Sequence, residues 1–353
     1  MWISSAALLA MLPSVFAIPL VEAPYPGLDV TLSQVEDTRI KAVVKNVGTE
    51  DVTFVHINFF KDTAPVQKVA LYQHDDSEIV FEGVEKLFQS SGLTEDVLTS
   101  LGPGEAYEDE FDVASTSNLS DGGRVTLHSE GRVPTVENGT ITGSIPFNSN
   151  KLVIDVDGTK ASEVAAAMKA KHQKRTAMEC CPSSEKHFFL KAALENAARL
   201  ASQAADAAEW GPEARFQEYF RTADSETRRV VAARFRAAAA EASSTTSGQT
   251  HYFCYDIDEL CTFNILAWAQ KTTNTIANCN LYYAFLHPTA IKCHGQDQAS
   301  TSLHELMHVP GVFKPGAKDL AYGYKAVTAL SPADALNNAD TYALFANAVH
   351  NDC

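Results

Sequence analysis

The stretch His304-Glu305-Leu306-Met307-His308 decides how the second half of this chain is organised. Residues at positions i and i+4 of a helix lie on one face, about 5–6 Å apart at Cβ. Two imidazoles with this spacing can bind one zinc ion, with Zn–N distances of about 2.0–2.1 Å. Glu305 lies beside the first histidine, where a carboxylate can accept a proton from water at the metal. The stretch therefore predicts a helix that supplies two ligands of a zinc site and a base.

A catalytic zinc also needs a third protein ligand and an open position for water. A third histidine six residues after the second is excluded, because Lys314 occupies that position. A later glutamate is excluded as well, because no glutamate follows Glu305. The remaining downstream candidates are Asp319, Asp334, Asp340, His350 and Asp352. Asp319 is favoured, because glycines between Pro315 and Gly323 allow the chain to turn back toward the helix.

The spacing of Asp319, Tyr322 and Gly323 after the histidine motif resembles the deuterolysin family of fungal secreted zinc metalloendopeptidases, also called aspzincins. The family has Gly-Thr before its Asp-x-x-Tyr-Gly pattern, whereas this chain has Gly316-Ala317. The resemblance covers about the last half of the chain. It implies a zincin-like catalytic domain that hydrolyses peptide bonds and holds one Zn²⁺ per chain. The roles that it implies are metal ligands at His304, His308 and Asp319, a general base at Glu305, and an oxyanion donor at Tyr322.

Two further residues are candidates for the site. Asp340 lies in a helix predicted over 332–349, and we expect it to hydrogen-bond a histidine N–H or to line the substrate pocket rather than to bind metal. Tyr282 matches a tyrosine that matters in the family, but its aromatic and apolar neighbours favour packing in a strand over 279–286. For Tyr322 the alternative is an aromatic ring that only packs beside the site.

The N-terminus is typical of a secreted precursor. Residues 1–17 have an apolar core followed by small residues, as a signal peptide does. No other stretch approaches the roughly 18 apolar residues of a membrane span. The dibasic pair Lys174-Arg175 follows an alanine-rich segment and predicts a processing site. The predicted domains are a signal peptide over 1–17, a propeptide over 18–175 and a catalytic domain over 176–353.

The seven cysteines all fall in the second half, at positions 180, 181, 254, 261, 279, 293 and 353. An oxidising compartment makes disulfides the expected state, although spacing alone does not fix the pairing. The family resemblance suggests the pairs Cys261–Cys279 and Cys293–Cys353. It also suggests Cys254 with Cys180 or Cys181, and we favour Cys181.

The two halves differ in their hydrophobic patterns. Period-two alternation up to about residue 160, for example over 40–45, 52–59, 124–128 and 151–155, predicts an all-β, sandwich-like propeptide of about seven strands. The second half is predicted to be α+β and mainly helical, with disulfides. Helices are expected over 186–243, 256–272, 298–309 and 332–349, and strands near 249–255 and 279–286.

We expect the propeptide to assist folding and to inhibit the enzyme, although a permanent binding module is the alternative. The absence of cysteine before Lys174 excludes a propeptide thiolate on the metal. The net charge of −16 suits cationic partners and offers no basic patch for nucleic acid, and the family favours basic protein substrates. We expect a secreted monomer that does not bind membranes. The competing functions are a secreted zinc hydrolase of a small amide and a non-catalytic binding protein.

Overall fold

The computed structural model describes residues 27–172, 184–244 and 247–353. The predicted signal peptide, the Lys174-Arg175 pair, Cys180 and Cys181 lie outside these residues. We call residues 27–172 the N-terminal half and residues 184–353 the C-terminal half. Among the described residues, no helix combines the length and apolar character that a bilayer crossing requires.

The N-terminal half is built from strands. They are β1 (Leu28–Glu36), β2 (Arg39–Asn46), β3 (Val52–Val55), β4 (Ala70–Tyr72), β5 (Val84–Phe88), β6 (Leu98–Leu101), β7 (Ala106–Asp112), β8 (Gly123–His128), β9 (Glu130–Glu137), β10 (Thr140–Ser149) and β11 (Leu152–Val156). A helix, α1 (Gly158–His172), follows them. One sheet has the order β6-β3-β9-β10-β1-β2-β7, and a second has the order β11-β8-β4.

The two sheets share one apolar core, as predicted from the alternating pattern. Leu28, Val30 and Leu32 of β1 are buried, whereas the residues between them are exposed. They pack in a cluster that also contains Leu127 of β8 and Ile154 of β11 from the smaller sheet. Period-two burial on one face of each sheet therefore produces the predicted sandwich-like packing, with ten strands in the two sheets of residues 27–172 rather than about seven.

The C-terminal half is mainly helical. Its elements are α2 (Glu185–Trp210), α3 (Glu213–Phe220), α4 (Ser225–Ala242), β12 (His251–Phe253), β13 (Ile265–Gln270), β14 (Thr275–Asn278), α5 (Asn280–Phe285), α6 (Gln298–His308), α7 (Tyr324–Val327), α8 (Pro332–Leu336) and α9 (Ala339–Asn351). The long helix α2 packs against α4, α6 and α9. Its alanines are buried along this face, which allows close helix packing.

Two of the predicted elements were wrong. Residues 256–272 do not form a helix, because they contain strand β13, and 279–286 contain helix α5 rather than a strand. Every residue from Ile265 to Ala269 is buried, so the strand shows no alternation from which to recognise it. The aromatic pair Tyr282-Tyr283 favours a strand by composition, but burial against α6 overrides that preference.

One strand of the N-terminal half belongs to the sheet of the C-terminal half. The third sheet has the order β12-β14-β13-β5, and β5 runs antiparallel to β13. A buried cluster spans both halves and includes Leu87, Phe88, Trp268, Tyr282 and Tyr322. The two halves are therefore joined by a continuous strand ladder and a common apolar core.

Candidate zinc centre

Helix α6 carries both motif histidines in its last turns. It begins after Asp297, whose carboxylate accepts a hydrogen bond from the Ser300 backbone N–H while the Ser300 hydroxyl reaches back to the Asp297 N–H. The helix ends at His308, because Val309 is extended before Pro310. All eleven of its residues are buried, so the imidazoles are held in a rigid environment. Their Nε2 atoms lie 3.1 Å apart.

Asp319 reaches the two histidines from the segment that follows the helix. Its Oδ1 lies 3.1 Å from Nε2 of His304, and its Oδ2 lies 3.4 Å from Nε2 of His308. Gly316 makes this return possible, because a Cβ there would lie 2.0 Å from the His308 carbonyl oxygen. The His308 ring is fixed in turn, since its Nδ1 lies 2.9 Å from the Ala317 carbonyl oxygen. The predicted turn toward the helix is confirmed.

These three side chains have the donor set and the spacing that zinc requires. Ligand atoms at about 2.0–2.1 Å from a tetrahedral zinc lie roughly 3.3–3.4 Å from one another, close to the separations observed here. Both Asp319 oxygens are buried and have no hydrogen-bond partner in the described part of the chain, as expected of atoms that bind a cation. Within the part of the chain that the structure describes, His304, His308 and Asp319 are the one group identified with metal-binding geometry. Burial raises the pKa of Asp319, but the adjacent imidazoles outweigh it and hold the pKa well below its usual range.

The Glu305 carboxylate is fully buried, and neither oxygen has a hydrogen-bond partner among the described residues. Burial raises the pKa of this carboxyl to about 7, although the two motif histidines oppose the shift. An unpaired carboxylate in such a place is costly for stability. Its presence beside the metal ligands is typical of a group retained for chemistry.

The Tyr322 side chain lies over the same site. Its ring is nearly parallel to the His304 ring, with centroids 6.5 Å apart. Its hydroxyl accepts a hydrogen bond from Nδ2 of Asn58 at 2.5 Å and donates to the Lys86 carbonyl oxygen at 3.3 Å. Burial, with a further contribution from Asp319, raises the pKa of Tyr322 well above its usual value. The phenol therefore stays protonated at neutral pH and remains a donor.

Asp340 lies behind His304, on the side away from the metal position. Its Oδ1 is 3.5 Å from Nδ1 of His304, and its Oδ2 accepts a hydrogen bond from the Gly323 N–H at 2.7 Å. The other downstream candidates lie elsewhere and have other partners: Asp334 contacts Ser331, His350 contacts Gln203, and Asp352 pairs with Arg215.

Tyr282 packs against α6 and forms hydrogen bonds with it. It is completely buried in α5, and its hydroxyl lies 2.9 Å from the Ser302 hydroxyl and 3.1 Å from the Gln298 carbonyl oxygen. Both partners belong to α6. Tyr282 therefore packs beneath the catalytic helix, in a helix instead of the predicted strand.

Two disulfides within the described residues match the pairs that the resemblance implies. They are Cys261–Cys279 and Cys293–Cys353. Cys254 is also disulfide-bonded, and the choice between Cys180 and Cys181 concerns residues outside the described ranges. The second of these bonds attaches Cys353 to the segment that precedes α6.

Two asparagines that contact this region were not predicted from the sequence. Asn338 is fully buried and accepts hydrogen bonds from the Leu320 and Ala321 N–H groups, at 2.8 and 3.0 Å, directly after Asp319. Its position before α9, as an N-cap residue, is the one signal that could have revealed it. Asn58 has no such signal, because it reaches Tyr322 across 264 residues of sequence.

The zinc ligand geometry agrees with comparisons to known proteins. The model of the deuterolysin metalloprotease (M35) family matches residues 1–353. The chain belongs to this family. It is 51% identical over 349 residues to neutral protease 2 of Aspergillus oryzae, covering 99% of this chain and 98% of that protein. It is 50% identical over 349 residues, with the same coverage, to penicillolysin of Penicillium citrinum. A neutral protease 2 homolog of Aspergillus terreus is 52% identical over 349 residues, again with the same coverage.

Membership of the deuterolysin family and the metal-binding group together identify the chain as a zinc metalloendopeptidase. Its zinc site is formed by His304, His308 and Asp319, as predicted. The fold class, with a β-rich N-terminal half and a disulfide-containing α+β C-terminal half, is confirmed as well.

Proposed function

We propose that this deuterolysin is a secreted endopeptidase, made as an inactive precursor, whose Glu305 and Tyr322 act directly on the peptide bond. The observation that carries the proposal is the combination of an unpaired, buried Glu305 carboxylate with a complete ligand set, beside a sheet edge that accommodates an extended strand. An extended edge suits a protein substrate better than a small amide, which would need a closed pocket.

Glu305 is the proposed general base. When bound, zinc lowers the pKa of a water molecule and polarises the substrate carbonyl. Glu305 then takes a proton from the attacking water and passes it to the leaving nitrogen. Its oxygens are suited to this task because no side chain or backbone group of the described residues hydrogen-bonds them.

Tyr322 and Asp340 have different proposed roles. The Tyr322 hydroxyl donates a hydrogen bond to the oxygen on which negative charge develops, a contact that strengthens in the transition state. Asp340 does not touch the substrate. Its carboxylate lies 3.5 Å from Nδ1 of His304, and this charge favours the ring orientation in which Nε2 faces the metal position.

The proposed precursor has a signal peptide over 1–17, a propeptide over 18–175 and a catalytic domain over 176–353, with processing after Lys174-Arg175. Its propeptide is an inhibitor, because Asn58 and Lys86 of the N-terminal half contact Tyr322 in the site. Cleavage after Arg175 would permit the N-terminal half to leave. Secretion is supported by the disulfides and by the N-terminal segment.

Basic extracellular proteins are the proposed substrates. Residues 176–353 contain 19 Asp and Glu and 14 Lys and Arg, and their net charge of −5 favours encounter with cationic partners. The proposed test measures zinc content and cleavage of histone by secreted, processed enzyme, with and without a chelator. We expect about one zinc per chain and cleavage that is lost with chelator and restored by zinc. A Glu305→Gln variant should keep its zinc and lose turnover. Full activity of this variant, or histone cleavage that the chelator does not reduce, would contradict the proposal.

A further inference from the structure

Strand β5 of the N-terminal half lies along β13 as an extended, antiparallel peptide. Lys86 is opposite Trp268 in this ladder. Three side chains of the C-terminal half form hydrogen bonds or ion pairs with residues in or next to β5. These contacts are Lys271 Nζ to Glu85 Oε1 at 2.9 Å, Gln270 Nε2 to the Glu82 carbonyl oxygen at 3.1 Å, and Gln296 Nε2 to the Phe88 carbonyl oxygen at 2.9 Å. The C-terminal half thus binds residues 82–88 as it would bind an extended ligand.

The carbonyl of Lys86 lies at the proposed oxyanion donor. Tyr322 donates its hydroxyl proton to this oxygen at 3.3 Å. The ring of Phe88 packs on the Tyr322 ring at a centroid distance of 4.6 Å. A peptide group of the N-terminal half therefore makes the contact with Tyr322 that a substrate peptide group would make.

Asn58 binds both backbone groups of Lys86, its N–H and its carbonyl. Its Nδ2 donates to the Lys86 carbonyl oxygen at 2.6 Å and to the Tyr322 hydroxyl at 2.5 Å, while its Oδ1 accepts from the Lys86 N–H at 3.2 Å. One side-chain amide therefore uses both of its donor hydrogens and its acceptor here. The contact of Lys86 with Asn58 is much shorter than its contact with Tyr322.

The turn that presents Asn58 is rigid. Asn58 has a φ of 58°, a left-handed conformation that asparagine tolerates better than most residues. Its N–H donates to Asp62 Oδ2 at 2.9 Å, and Asp62 forms a buried ion pair with Lys86 Nζ at 2.7 Å. The Lys86 side chain and both of its backbone groups therefore contact the same turn, residues 58–62.

We infer that Val84–Phe88 is a pseudosubstrate strand and that Asn58 is the latch that keeps its Lys86–Leu87 bond intact. The inference rests on the proposed function, because it uses Tyr322 as the oxyanion donor. Asn58 blocks hydrolysis in two ways. It ties the Lys86 carbonyl oxygen to the 58–62 turn at 2.6 Å. It also restrains the Tyr322 hydroxyl by donating to its oxygen at 2.5 Å, so neither group is free to shift as the transition state forms.

Removal of the Asn58 side chain should make the Lys86–Leu87 peptide bond susceptible to hydrolysis. Hydrolysis would add the oxygen of one water molecule to the Lys86 carbonyl carbon and break the C–N bond to Leu87. The water protons are released to the Leu87 nitrogen and to solvent, which leaves a Lys86 carboxylate and a Leu87 amine. The new N-terminus at Leu87 identifies the event without ambiguity.

The test uses the full, zinc-loaded chain before processing at Arg175. We expect Asn58→Ala to be cut between Lys86 and Leu87 at least about tenfold faster than the parent chain, because one lost hydrogen bond shifts a rate by roughly that factor. Mass spectrometry of the fragments measures the cut. Asn150→Ala is the matched control, since Asn150 bonds both backbone groups of Leu32 in the same way, at 2.7 and 3.1 Å. This control should remain as latent as the parent chain.

A second measurement covers the case in which Asn58→Ala does not fold. A synthetic peptide of residues 82–90 lacks the latch, so the processed enzyme should cut it at Lys86–Leu87 and it should compete with histone. An Asn58→Ala chain that stays intact at the parent rate overturns the inference, as does a peptide that is neither cut nor competes. Histone cleavage by the processed enzyme separates failure of the proposed function from failure of this inference. If histone is not cleaved, the proposed function fails. If histone is cleaved, a negative result overturns only the role of Asn58 and the pseudosubstrate strand.

Discussion

Asn338 supports the ligand segment, and its replacement tests whether Asp319 is positioned by the backbone that follows it. Oδ1 of Asn338 accepts from Leu320 N–H and Ala321 N–H, and its Nδ2 donates to the Ala321 carbonyl at 3.1 Å and to the Thr341 hydroxyl at 3.1 Å. Asn338→Ala removes all four hydrogen bonds. A buried N–H without an acceptor costs about 1–3 kcal/mol. Because Leu320 is partly exposed and can recruit water, we expect a total loss of about 2–4 kcal/mol in the free energy of unfolding.

The same replacement should weaken zinc binding by at least about tenfold, as loss of a group that supports a ligand usually does. Urea unfolding of the zinc-free chain measures the first effect, and competition with a chromogenic chelator measures the second. Asn347→Ala is the matched control on the same helix. Asn347 accepts from the His294 N–H at 2.7 Å and donates to the Gly295 carbonyl at 3.3 Å, away from the ligand segment. Equal loss of zinc affinity in both variants, or a destabilisation by Asn338→Ala below about 1 kcal/mol, would refute the reasoning.

Three other substitutions separate the roles of residues at the zinc centre. Tyr322→Phe should keep zinc but lower kcat by about 10²–10³, as loss of an oxyanion donor does; steady-state kinetics on a protein substrate with unchanged kcat would exclude that role. Asp319→Asn should abolish zinc binding, whereas Asp340→Asn should retain most of it, because Asp340 acts through His304. Metal analysis of dialysed protein checks this pair, and the reverse order would overturn the ligand assignment.

The parts of this molecule that depend on short sequence separations could be predicted. His304 and His308 are fixed by the helical repeat, and Asp319 follows within a short turn that Gly316 permits. The alternation of apolar and polar residues in the N-terminal half indicated a sandwich, because one face of each sheet is buried and the other is exposed to solvent. Local patterns such as these carry their structural cause within a few residues.

The remaining features depend on contacts that no local pattern records. Strand β13 was predicted as part of a helix, because both of its faces are buried, one of its neighbours being strand β5 from the other half of the chain. The role of Asn58 could not be predicted for the same reason, because it depends on contacts with Tyr322 and Lys86, which are both distant in sequence. Residues whose role is created by the packing of the two halves can be recognised only after the halves are assembled.

The bond between Cys293 and Cys353 has a consequence for damage to the enzyme. It closes a covalent ring over a sequence separation of 60 residues, and this ring contains all three zinc ligands. A ring of that size stabilises the fold by about 4 kcal/mol in the chain-entropy model. A single nick within the ring would leave both fragments covalently attached. By contrast, replacement of Cys353 would open the ring, so we expect the enzyme to tolerate one internal cut better than the loss of this cysteine.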